Sequence, residues 1–343
     1  MNPPAPPRTP DPARVPRIVP RLLATVIIMA ATNAAAAPLI LEQTIPLDGV
    51  SGRIDHMAVD VAGERLFVAE LGNGSVDVID LHASKVVRRI SGLKQPQGIG
   101  YVAKQDLIVV ASAGDGSARF FRAADLSPVG SVALGEDADN VRIDPISGQV
   151  LIGYGDGGLA IIDPATRARV GDIRLPGHPE SFQLDPKLGR IYINVPDRHQ
   201  VVVADRGTRR QLAAWKIPGS GANFPMAIDH AGGSLAVVFR GPARIAILDP
   251  ATGAVTADVA TCDDADDAYF DARRNRIYIS CGDGSVDVLH EAPGETPSHI
   301  GRVTTSRGAR TSIFVPQLDR LFVAVPAETP GSGAAVRVYC PSP

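Results

Sequence analysis

Residues 57–80 read MAVDVAGERLFVAELGNGSVDVID. An apolar run ends in Asp60, a short polar turn follows, and Arg65–Glu70 forms a second β-branched and aromatic run. The glycine-rich turn Gly72-Asn73-Gly74 then leads to a third run ending in Asp80. Period-two runs separated by Asp, Gly and Asn read as short strands joined by tight turns. The same unit returns at 141–163, 182–205, 226–249 and 269–290, with weaker copies at 99–122 and 313–339. The aspartate closing the first run falls at Asp60, Asp144, Asp185, Asp229 and Asp271, and Val102 and Pro316 take its place in the weaker copies. A steady period of about 42 residues, built only of strands and turns, predicts a β-propeller with one blade per repeat.

A fourth strand follows most copies, as at Val86–Ile90, Val129–Ala133, Val170–Leu175, Leu212–Ile217 and Val255–Ala260. The last copy ends at Pro343 without one, while Leu39–Ile45 is a spare β-run ahead of the first copy. A donated N-terminal strand would complete the last blade and remove an open edge. The expected fold is therefore all-β: a seven-bladed propeller over residues 37–343, with four-stranded blades and a ring closed by the N-terminal strand.

With 45% hydrophobic residues the chain can bury a large core, which excludes wholesale disorder. Its formal net charge of −3 argues against a protein that coats nucleic acid or anionic membrane. Residues 1–36 read as a secretory signal: Arg8, Arg14, Arg17 and Arg21, then the apolar run Leu22–Ala31, then Ala34–Ala37. That run falls short of the roughly 20 residues needed to span a bilayer. The expected product is a soluble, exported monomer of the periplasm or medium, with no transmembrane segment after cleavage.

RLFVAEL (65–71), RIYINVP (190–196), RIYISCG (276–282) and RLFVAVP (320–326) stand at the second strand of their repeats. These segments resemble the YVTN-type repeat of the YncE-like periplasmic propellers, with Ile193-Asn194 nearest to the literal motif. The resemblance runs over the whole of 37–343. It implies fold and export, and leaves activity open because one fold hosts many functions.

In a propeller the first strand of each blade lines a central channel, and the loop before it opens at one mouth. Counting back from the repeat aspartate gives one polar ring of His56, Gly98, Asn140, Ser181, Pro225, Asp267 and Ser312. A second ring holds Asp55, Gln97, Asp139, Glu180, Phe224, Asp266 and Thr311. Arg53, Asp137, His178, Asn223, Asp263, Asp264 and Arg310 lie just upstream. The candidate ligand site is Arg53, Asp55, His56, Gln97, Asp139, Asn140, His178, Glu180, Asn223, Asp266, Asp267 and Arg310. Asn140, Glu180, Asn223 and Asp267 offer the oxygen set preferred by one divalent cation such as Ca²⁺ or Mg²⁺. His56 and His178 would suit zinc or a general base, and Arg53 and Arg310 a carboxylate clamp.

Cys262 and Cys281 both fall at one end of the sixth blade and suit a disulfide, leaving Cys340 free. No Cys-x-x-Cys-His, Walker loop or Gly-x-Ser-x-Gly occurs. Trp215 is the only tryptophan and offers no stacking platform for a nucleic-acid strand. Three functions remain: a non-catalytic propeller binding a small molecule or periplasmic protein at its mouth, a metal-dependent hydrolase similar to gluconolactonase-like propellers, or an interaction scaffold.

Overall fold

In the computed structural model of the chain, which describes residues 1–9, 37–327 and 333–343, each repeat is built outward from its turns. Asp60 accepts the Gly63 N–H at 3.0 Å, Asp185 that of Lys187 at 2.9 Å and Asp229 that of Ala231 at 2.9 Å. Asp80, Asp163, Asp205 and Asp249 cap the outer turns in the same way. A carboxylate that satisfies turn N–H groups fixes the hairpin locally, so these aspartates are structural.

Blade one pairs Met57–Asp60, Arg65–Glu70, Ser75–Asp80 and Lys85–Ser91 in that order, all antiparallel. Five further sheets repeat this order, with inner strands Pro96–Val102, Val141–Ile143, Phe182–Asp185, Gly221–Asp229 and Ala265–Asp271. The seventh holds Ser312–Val315, Arg320–Val325 and Ala334–Pro341, and its outer strand is Leu39–Leu47. Leu39 lies opposite Pro341 and Leu47 opposite Ala334, so the first strand runs antiparallel along the last. Ring closure thus comes from the N-terminal strand.

Pairing in blade seven corrects the alignment by one residue. Val315 lies opposite Arg320 as Asp60 lies opposite Arg65, so Val315 rather than Pro316 takes the repeat position. The Ala324 N–H bonds the Thr311 carbonyl as the Ala69 N–H bonds that of His56. Thr311 therefore joins the ring of His56 and Asn140, and Arg310 joins that of Asp55, Asp139, Glu180 and Asp266. A strand's faces alternate, so a slip of one residue exchanges them. Both weaker copies lack the aspartate that would have set the count.

Among the described residues, apolar packing forms seven clusters, each between two neighbouring blades. One joins Phe67, Val76 and Val78 of blade one to Ile108 and Val110 of blade two. Another joins Leu66, Val68 and Ile79 to Val315, Phe322 and Val336, sealing blade one against blade seven. Alternate side chains on each sheet face opposite neighbours, which is why the middle strands read as near-continuous apolar runs. Ala37–Pro343 is one compact unit. The helical segments among the described residues are the single turns Ala103–Gln105 and Pro196–Arg198. No helix among these residues is long and apolar enough to cross a membrane. Most of the segment read as a signal, residues 10–36, lies outside the described residues.

Candidate functional site

The loops that enter the inner strands deliver their side chains to one mouth of the channel. A common hydrogen-bond pattern sets them there: Asp55, Asp139 and Glu180 each donate their backbone N–H to a carbonyl of the adjacent second strand, Ala69, Gly153 and Asn194. With the main chain held, the Asp55 and Asp139 side chains are buried at the strand entries.

His56 is central. Its Nε2 lies 3.7 Å from Asp55 of its own blade and 3.8 Å from Asp139 of blade three. Its Nδ1 lies 3.7 Å from Asp267 of blade six. Burial opposes the charged imidazole, but Asp267, Asp55 and Asp139 together outweigh it and push the His56 pKa up to about 10. The three carboxylates around it therefore favour the charged imidazole.

One side of the mouth is a ladder of ion pairs. Arg240 of blade five stacks 3.8 Å over the Phe224 ring and bonds Asp266 at 2.5 Å. Arg310 of blade seven reaches Asp266 at 3.1 Å and Asp264 at 2.9 Å. Arg53 pairs with Asp55 at 2.8 Å and approaches Asp266 at 3.8 Å. Blades five, six, seven and one are therefore neutralised by three guanidinium groups.

The opposite arc, on blades three and four, has no arginine partner among the described residues, and Asp139 faces only His56, at 3.8 Å. Asp139, Asn140 and Glu180 stand here, and no arginine lies within ion-pair distance of either carboxylate among the described residues. Burial, then Asp139 and Asp266, push the Glu180 pKa up to about 8. Burial raises Asp139 as well, against His56 and His178, and raises Asp55 against His56 and Arg53. One buried oxygen each of Asp139 and Asn140 accepts no hydrogen bond, whereas Asp55 and Asp266 face Arg53 and Arg310.

The remaining candidates are engaged between blades. Gln97 donates to Asp137 at 3.3 Å. His178 Nδ1 lies 2.7 Å from the Gly155 carbonyl and 3.7 Å from Asp137. Asn223 donates to Asn194 and to the Gln200 carbonyl, tying blade five to blade four. Asp267 accepts the Ser312 N–H at 2.8 Å. Two of the four proposed cation ligands thus serve inter-blade bonds. Among the described residues no three His, Cys, Asp or Glu side chains group to hold a metal ion. The Cys262 and Cys281 sulfurs are bonded, with Cα atoms 6.0 Å apart, and Cys340 is free.

Sequence reasoning missed Arg240. The equivalent residues of the other repeats are Leu71, Ala113, Gly155, Pro196, Gly282 and Pro326. A single charge in an otherwise apolar or turn-forming column was a legible signal.

No family model matches the chain, and no curated protein does. Among solved structures it is similar to a chain of Kuenenia stuttgartiensis Hydrazine Synthase. That match has a TM-score of 0.71 at 15% identity and covers 81% of this chain and 95% of that one. A likeness at this identity establishes the seven-bladed fold alone.

Proposed function

We propose that this chain is an exported, non-catalytic propeller of the YncE-like, YVTN-type group that binds a small cationic ligand at the channel mouth. The observation that carries the reading is the arc of Asp139, Asn140 and Glu180, where no arginine among the described residues pairs with either carboxylate and one buried oxygen each of Asp139 and Asn140 accepts no hydrogen bond. Buried polar groups in native proteins are almost always paired, so an excess of one kind marks what a ligand supplies. Here the missing partner is a donor with positive charge. The arginine-free arc of Asp139, Asn140 and Glu180 supports a position against blades three and four. The four RLFVAEL-like segments support membership in the group, since all form the second strand of their blades.

Calorimetry with putrescine, and with the neutral diol of the same length, tests the reading. The amine is expected to bind and the diol to bind at least about ten-fold more weakly, a difference near 1.4 kcal/mol. Asp139→Asn is expected to remove that preference and leave the melting temperature within a few degrees. Equal binding of amine and diol overturns the proposal. One stoichiometric Ca²⁺ or Mg²⁺ per chain in protein purified without chelator also overturns it, in favour of a metal-dependent hydrolase. Export is checked by the N-terminal sequence of protein recovered from periplasm, expected to start within a residue or two of Ala37.

A further inference from the structure

Below the mouth, the inner strands enclose a cavity of about 390 Å³ that runs from His56 to His230 and Pro316 at the turn end of the channel. Two residues before the repeat aspartate, Ala58, Gly100 and Ala227 contribute almost no bulk, whereas Arg142, Gln183 and Tyr269 line the same space. Val59, Ile143, Ile228, Phe270 and Ile313 supply apolar wall. Small residues on one side of the layer leave room that the other side does not fill.

Arg142 is the one guanidinium lining this cavity. Its Nη1 donates to the Val141 carbonyl at 3.0 Å, and the Phe182 ring lies 5.7 Å away. Among the described residues no carboxylate lies within ion-pair distance of it, in contrast to the arginines of the mouth. The neighbouring polar groups are already engaged: Tyr269 donates to the Ser312 carbonyl at 2.8 Å and Gln183 to the Met226 carbonyl at 2.7 Å. A half-buried guanidinium carries five N–H donors in a fork that matches a carboxylate. Surrounding apolar wall favours a ligand whose remainder is hydrocarbon.

We infer that the channel is a second binding site, for an apolar monocarboxylate whose carboxylate meets the uncompensated Arg142 and whose hydrocarbon body fills the space left by Ala58, Gly100 and Ala227. This site uses none of Asp139, Asn140 and Glu180, and it selects the opposite charge. The two readings therefore stand or fall separately.

Calorimetry on the full chain with octanoate, octan-1-ol and octylamine tests the inference. Octanoate is expected to bind at least about ten-fold more tightly than octanol. Arg142→Met is expected to lower octanoate affinity to that of octanol and leave octanol unchanged. Glu180→Gln, at the mouth, is expected to leave octanoate binding unaltered. No octanoate binding, or octanol bound as tightly as octanoate, overturns the inference on the wild-type protein alone, so it stays testable even if Arg142→Met does not fold. Undiminished octanoate binding by a folded Arg142→Met variant also overturns it.

Discussion

His56 shows how the mouth was made from single residues. One imidazole from blade one meets carboxylates of blades one, three and six, so its charge is shared among elements far apart in sequence. Its raised pKa stabilises the folded state fully below pH 6.5, and that contribution is lost as pH climbs towards about 10. Glu180 acts in the same direction, from 4.5 towards about 8, because the folded chain holds its proton more tightly than the unfolded chain does. Asp205 and Asp249 act oppositely: the Thr208 and Thr252 N–H groups hold them below the usual carboxylate range. Their contribution is present above about pH 3.8 and is lost as pH falls below it. Denaturation midpoints measured across pH are therefore expected to peak near about pH 5 and to fall steadily towards pH 9. Amine binding is expected to strengthen between about pH 6 and pH 8, as Glu180 ionises, and Glu180→Gln to flatten that rise. A rise that survives in the Gln variant would remove Glu180 from the site.

At the scale of the element, the first strand is the latch. Leu39, Ile45 and Leu47 are buried and are held along Ala334–Pro341. Ile45→Ala is expected to cost about 2–5 kcal/mol in chemical denaturation, the range for a buried isoleucine. Deleting residues 37–47 leaves the strand Ala334–Pro341 as an open edge, and aggregation rather than a soluble six-blade ring is the expected result. In blade six the Cys262–Cys281 bond closes a loop with a sequence separation of 19. Replacing both cysteines by serine is expected to lower stability by about 3 kcal/mol. An unchanged midpoint would mean that the blade is held by its strand pairing and apolar packing alone.

The described residues from 37 onward form a closed circle of seven similar sheets with an apolar cluster at every junction. No blade has a free face, so losing one junction removes support from both neighbours. A single cooperative transition is expected, with the same midpoint by far-UV circular dichroism and by fluorescence of Trp215 in blade four. Two separated midpoints would show that the ring opens before the blades melt. Blades one and six also share a pairing of a buried aspartate with a more exposed arginine of the outer strand, Asp77 with Arg89 and Asp287 with Arg302. In both it starts from the same Ser-Val-Asp-Val run, at 75–78 and 285–288.

The sequence by itself determined the blade count, the strand order within each blade and the donated first strand. Those features rest on local chemistry: turn aspartates, period-two runs and a repeat that ends one strand short. It also brought most of the mouth residues to notice, because polar side chains interrupt apolar strands at a regular offset. Tertiary structure alone decided the register of blade seven, where no aspartate marks the turn and only pairing with Arg320 sets the count. It decided which carboxylates surround His56, since Asp139 and Asp267 reach it from other blades. It also decided that Arg142 lies without a carboxylate while Arg53, Arg240 and Arg310 each have one. Whether a charge is compensated depends on which side chains the ring brings within a few ångströms, and those partners stand many residues away along the chain.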